Sequence, residues 1–194
     1  PIAALASALA LTARRMGKAG GDAVRRWAWA VIRGCEISSL RIGVAGFGRI
    51  GRLFAARVSG LCASVLAYDP LISEVETLPK RHARAASFIE LSACDAVSLH
   101  APGGQRLVDA TWLHSVRGMT LVNTARADLV DESATADAIR SGHLTSYAAD
   151  TLDTESHGSS ASPLLADDLA DRVIITPHLG ARPVPGTARI GSAA

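Results

Sequence analysis

An apolar run, Arg41-Ile42-Gly43-Val44-Ala45, leads directly into Gly46-Phe47-Gly48-Arg49-Ile50-Gly51, and helix-forming residues follow. The glycines match G-x-G-x-x-G, the turn between a strand and a helix that cradles a dinucleotide pyrophosphate. Each glycine has its own task. Gly46 permits the tight turn out of the strand, Gly48 lets the backbone approach the phosphates, and Gly51 lets the helix pack close to the sheet. The start of that helix points unsatisfied N–H groups at the anion. A second apolar run, Ser64-Val65-Leu66-Ala67-Tyr68, ends in Asp69, 18 positions after Gly51. That is near the spacing of a carboxylate that accepts hydrogen bonds from a ribose diol.

The 194 residues suffice for one domain with a sizeable core. Ala, Val, Leu and Ile dominate and aromatic residues are few, which suits a buried parallel sheet covered by helices. A formal charge of +2 argues against a nucleic-acid protein. The basic residues Arg14, Arg15, Lys18, Arg25 and Arg26 read as the solvated face of a helix. Trp27 and Trp29 beyond them are as suited to packing inward as to stacking on bases. Cys35, Cys62 and Cys94 are scattered, odd in number and without C-x-x-C spacing. They read as reduced thiols in a cytoplasmic protein, with neither a disulfide framework nor a zinc site. No run is long enough to cross a bilayer, and the apolar start lacks the basic lead of a signal peptide.

Strand and helix patterns mostly alternate, which predicts an α/β fold with a doubly wound, mostly parallel sheet. Helical composition covers 2–16, Gly20-Gly21 marks a break, and a second helical or irregular stretch continues to about Ile32. Strands are expected at 40–45, 64–68, 96–99, 120–123, 147–149 and 173–175. Helices are expected from Gly51 to about Val58, at 88–93, near 110–115 and at 132–141. Residues 70–86 carry no clear pattern, and 156–162 read as a loop. Asp69, His100, Arg126, Asp150 and His178 all stand at or just beyond strand C-termini. Ligands bind at that edge of an open α/β sheet, so parallel strands would gather these groups in one crevice.

These motifs resemble the nucleotide-binding domain of the NAD-dependent D-2-hydroxyacid dehydrogenases, the group of the D-3-phosphoglycerate dehydrogenases and glyoxylate/hydroxypyruvate reductases. The resemblance rests on 46–51, Tyr68-Asp69-Pro70, Asp95 to Pro102, Val122-Asn123-Thr124-Ala125-Arg126, Ala149-Asp150 with Glu155, and Thr176-Pro177-His178-Leu179-Gly180. It implies Arg126, Glu155 and His178 as the catalytic side chains. It implies that Arg49 and Ile50 offer N–H groups to the pyrophosphate and that Asp150 holds the nicotinamide carboxamide. Ala101 and Pro102, residues Thr124, Ala125 and Arg126, and His178 with Gly180 and Ala181 complete the expected cofactor contacts. By the same resemblance, residues 1–33 form a hinge-helix region, 34–181 the NAD-binding domain and 182–194 a return segment, with the substrate domain largely absent. The sequence departs from the family's pattern in a short Gly103-Gly104-Gln105 turn, in Ala127 for a glycine and Ser156 for a proline, and in the lack of an acidic residue in Ile2-Ala3-Ala4-Leu5.

The residue types suit the implied chemistry. Oxidising a 2-hydroxy acid needs a hydride acceptor, a base for the hydroxyl proton and a cation for the carboxylate. An imidazole exchanges protons near neutral pH, so His178 can be the base. Glu155 can orient that ring. Arg126 can hold the carboxylate through two parallel hydrogen bonds. Asp150 could instead cap a turn. His100 suits packing as well as ligand contact, and His82, His114, His143 and His157 read as surface residues. Asp69 repels a 2′-phosphate and is followed by Pro70 and Leu71 with no arginine, which predicts NAD(H) over NADP(H). The expected partners are a small 2-hydroxy or 2-oxo acid and a second copy of the chain, since an apolar helix at 2–16 would otherwise expose a patch. The alternatives are an NAD(H)-responsive binding protein of the corepressor kind and a truncated chain that binds NAD without turnover.

Overall fold

The computed structural model describes residues 1–15, 17–25, 27, 35–72, 81–154 and 162–180. Strands β1 (Arg41–Ala45), β2 (Ser64–Tyr68), β3 (His82–Arg84), β4 (Ala96–Leu99), β5 (Met119–Asn123), β6 (Leu144–Ala149) and β7 (Val173–Ile175) form one sheet. Their order is β3-β2-β1-β4-β5-β6-β7, and every pairing is parallel. The helices are α1 (Ile2–Arg14), α2 (Gly17–Arg25), α3 (Arg49–Val58), α4 (Ala110–Ser115) and α5 (Glu132–Arg140).

The central strands β4 and β5 are buried at every position, as strands covered on both faces must be. Side chains of neighbouring strand residues point to opposite faces, so the sheet separates two cores. On one face Val44, Val65, Val122 and Ala148 pack with Ala6 and Leu9 of α1 and Phe54 of α3. On the other, Leu99, Leu121 and Tyr147 pack with Leu113 of α4 and Ile139 of α5.

The strands expected from apolar runs are present with boundaries shifted by at most a few residues. Strand β3 was not anticipated. It has three residues, only one of them apolar, and exists because its backbone pairs with β2. His82, expected on the surface, is partly buried there, its ring 6.5 Å from that of Phe47. Gly20 and Gly21 lie inside α2 rather than at a break, and the turn after α1 falls at Arg15. A glycine costs a helix about 1 kcal/mol and does not forbid it.

Arg14 also corrects the reading of a solvated basic face. Its side chain is 10% exposed, and Nη2 lies 3.8 Å from Asp95 Oδ1. Nη1 donates to the Gly118 carbonyl at 2.9 Å. The long stem carries the charge from α1 to the sheet's N-terminal edge, where an acid and a carbonyl compensate it. The apolar stripe of α1 (Ala3, Ala6, Leu9, Ala10 and Ala13) is buried within the chain, so it is not the exposed patch that suggested pairing of copies. Trp27 is 85% exposed. Cys62 and Cys94 are buried and Cys35 exposed, all as free thiols. Among the described residues no helix is long and apolar enough to cross a membrane, and no cluster of ligating side chains suits a metal ion.

Candidate functional site

The strand register builds one edge. Tyr68, Ala45, Leu99, Asn123, Ala149 and Ile175 are consecutive partners across the sheet from β2 to β7. The residues just beyond them are Asp69, Gly46, His100, Thr124, Asp150 and Thr176. Parallel pairing therefore brings the expected groups to a single C-terminal edge. The strand order reverses between β1 and β4, which is where such a sheet opens a crevice.

At that point stands the glycine turn. Gly46 has φ +88, and a Cβ there would lie 2.6 Å from the Ala101 nitrogen and the His100 carbonyl carbon. A Cβ on Gly51 would lie 2.0 Å from the Gly46 oxygen. Both positions exclude any side chain. A Cβ on Gly48 would instead meet nothing within 4 Å. Gly48 precedes α3, whose N-terminus no side chain caps, so the first-turn N–H groups at Arg49 and Ile50 lack intrahelical carbonyls. Asp69 lies beside this turn. Its Oδ2 accepts from the Phe47 N–H at 2.7 Å and its Oδ1 from the Leu71 N–H at 2.9 Å. Each oxygen retains a second lone pair.

After β5 the chain turns sharply and presents Arg126, which is exposed. The Arg126 Nη1 donates to the Ala125 carbonyl at 2.9 Å. Thr124 is 5% exposed, and its Oγ1 has no hydrogen-bond partner among the described residues. Thr135 and Thr151 carry buried hydroxyls in the same state, and Thr124 is the one in the row of residues just beyond the strand ends.

Asp150 takes up the turn-capping role that the sequence also allowed. It is 1% exposed, and its carboxylate is occupied by the segment after β7. Oδ1 accepts from the Thr176 hydroxyl and from the Leu179 N–H, and Oδ2 from the Gly180 N–H at 2.8 Å. The carboxylate thus holds a turn. That turn carries His178, partly buried at φ +52, with its own N–H donating to the Thr176 carbonyl at 2.9 Å. His100 takes the packing alternative. Its ring lies 5.0 Å from that of Phe54, its Nε2 is 3.0 Å from Ser98 Oγ, and burial lowers its pKa to about 4.

Glu155 and Ala181 lie outside the described residues, as do His157 and Trp29. The residues on either side of 155–161 are held by Glu132 at the start of α5. Its carboxylate accepts from the Asp153 N–H at 2.8 Å and the Ser162 hydroxyl at 2.5 Å. Asn123 was read only as part of the motif before Arg126, and Asp128 and Glu132 were not singled out from sequence, although Asn or Asp beside a turn is a usable signal. A groove of about 420 Å³ between α4 and α5 contains none of the candidate site residues.

An open cradle at Gly48, an uncapped helix start, a carboxylate beside the turn and an unpartnered hydroxyl at Thr124 fit an extended anionic dinucleotide. The fold and edge therefore define a dinucleotide-binding domain. The family described as D-isomer specific 2-hydroxyacid dehydrogenase, NAD binding domain, matches residues 7–180, and the chain belongs to it. D-3-phosphoglycerate dehydrogenase of Mycobacterium leprae is 37% identical over 198 residues, covering 96% of this chain and 36% of that protein. (S)-Sulfolactate dehydrogenase of Chromohalobacter salexigens is 34% identical over 163 residues, covering 79% of this chain and 50% of that protein. Among solved structures, D-lactate dehydrogenase of Aquifex aeolicus in complex with NAD and lactic acid superposes with a TM-score of 0.82 at 26% identity. That match covers 94% of this chain and 60% of the other. The chain thus spans between about a third and three fifths of these relatives' length.

Proposed function

We propose that this chain is the cofactor-binding part of an oxidoreductase that moves a hydride between NAD(H) and C2 of a small 2-hydroxy or 2-oxo acid. The nicotinamide supplies the hydride chemistry when bound. Gly48, with the N–H groups of Arg49 and Ile50, holds the pyrophosphate, Asp69 the ribose diol, and Thr124 and Ala125 with Ala101 and Pro102 line the reactive end. Arg126 grips the substrate carboxylate in a two-point fork. His178 exchanges a proton with the C2 oxygen, giving it up in reduction and taking it in oxidation. Glu155 orients that imidazole. The carrying observation is the in-register row of strand ends, which sets the Arg126 turn after β5 and the His178 turn after β7 on one edge with only β6 between.

The test is NADH oxidation by the full-length protein with a panel of 2-oxo acids, wild type against Arg126→Ala. We expect turnover, and a loss in kcat/KM of about a hundredfold or more when the carboxylate loses its partner. An undiminished kcat/KM in the variant would remove Arg126 from the mechanism. Pairing of two copies through this domain belongs to the same proposal, supported by Val24 and Trp27, which are 46% and 85% exposed. Light scattering that finds only monomer at high concentration would count against it. A cytoplasmic location belongs to the proposal too, supported by the free thiols of Cys35, Cys62 and Cys94.

A further inference from the structure

Asn123 closes β5 and is wholly buried, and both ends of its amide are used. Nδ2 donates to the Arg126 carbonyl at 2.8 Å, and Oδ1 accepts from the Ala125 N–H at 3.1 Å. One planar group spans the turn from 123 to 126. Asparagine is the shortest side chain that carries a donor and an acceptor on one amide plane. The Tyr147 hydroxyl, on neighbouring β6, lies against this amide, and burial pushes that phenol above its ordinary range so that it stays protonated. A second wall stands on the other side. A Cβ on Gly103 would lie 3.2 Å from Arg126 Cγ, and the Gly104 N–H donates to Asp128 Oδ2 at 2.5 Å. The Arg126 backbone is thus fixed from beneath, with Gly103 close beside its stem, while its guanidinium lies on the exposed edge with Nη1 donating to the Ala125 carbonyl.

We propose that Asn123 is a positioning residue for Arg126: its amide sets the direction in which the guanidinium leaves the sheet edge, and Tyr147 holds that amide. The proposal rests on the reading above, in which Arg126 grips the substrate carboxylate. A two-point grip is directional, and a misplacement near 1 Å costs on the order of a hundredfold in rate. The Arg126 turn lies at the reactive end of the crevice, away from the glycine turn beside β1. Loosening it therefore weakens the hold on the acid and leaves the dinucleotide's main contacts in place.

The experiment uses the full-length protein with Asn123→Ala, Arg126→Ala, the double variant and Tyr147→Phe. Kinetics with a 2-oxo acid are measured beside NADH affinity by fluorescence. Asn123→Ala should raise KM for the acid about tenfold or more while the NADH Kd stays within about twofold. In the Arg126→Ala background the same substitution should change kcat/KM by less than about twofold, because residues acting through one another are not additive. Tyr147→Phe removes only the hydroxyl and should raise KM in the same sense by a smaller factor. Should Asn123→Ala fail to fold, Tyr147→Phe alone and combined with Arg126→Ala decides the question. An unchanged KM in these variants, or an equal loss with and without Arg126, would overturn the proposal while a crippled Arg126→Ala leaves the underlying reading standing. An Arg126→Ala protein of full activity would overturn both.

Discussion

Gly51 and Gly48 separate folding from binding within one turn. A methyl on Gly51 would sit 2.0 Å from the Gly46 oxygen, which is backbone and cannot rotate aside. Gly51→Ala should therefore cost about 1–3 kcal/mol or more, read by urea unfolding. Gly48→Ala points its methyl into open space and should change stability by no more than about 1 kcal/mol. The same methyl would enter the cradle proposed for the phosphates, so NADH affinity should fall; an unchanged calorimetric Kd would show that no phosphate lies there. His100 gives a pH prediction. Burial lowers its folded pKa from 6.5 to about 4, so between those values the unfolded chain binds more protons. Stability should fall by up to about 3 kcal/mol as pH drops from about 6.5 to about 4, with no contribution to the slope above that window. His100→Gln should flatten this acid limb in urea titrations at several pH values. The sequence placed His100 at a strand end but could not choose between packing and ligand contact, because the choice is made by Phe54, 46 positions away in the chain.

Elements differ in how far their own residues define them. Strands β1, β2, β4, β5 and β7 were legible as apolar runs, and the buried polar residues within β4 and β5, Ser98, Thr120 and Asn123, each have a hydrogen-bond partner. Strand β3 was not, because three residues of an edge strand are held by β2 and not by their own composition. The same holds for Arg14: charge in a helix reads as surface until the sheet edge beneath it is known. Arg14→Ala should leave the Gly118 carbonyl without its guanidinium donor and lower stability by about 1–2 kcal/mol in urea unfolding. The turn after β7 depends on Asp150 in a similar way. Asp150→Asn would replace one of the two accepting oxygens with an NH₂ group, set against the N–H donor of either Leu179 or Gly180, and loosen the turn. Amide exchange at those two positions should quicken while exchange along β6 is unaffected. Unchanged exchange would mean that the carboxylate does not hold the turn. A role for Asp150 at a strand end was visible in the sequence; its occupation by residues 176, 179 and 180 was not.

For the whole molecule, cofactor choice is the property that the chain can show by itself. Asp69 stands beside the glycine turn with a lone pair free on each oxygen, and a 2′-phosphate there would meet its negative charge. NADPH should bind at least about tenfold more weakly than NADH, and Asp69→Ser should narrow the gap. Equal affinities in a titration would overturn this preference. The glycine spacing, the apolar runs and the acid after β2 determined the α/β class and pointed to a dinucleotide at one edge, because backbone freedom, burial and charge at those positions are local properties of residue types. Sequence also ordered the strands along the chain, but it left open which polar groups would be consumed in holding turns. Only the tertiary structure assigned Asp150 to the loop after β7, His100 to Phe54, and the amide of Asn123 to the turn that carries Arg126. Hydrogen-bond donors and acceptors are satisfied by whatever the fold brings within about 3 Å, and in a parallel sheet those partners come from distant segments.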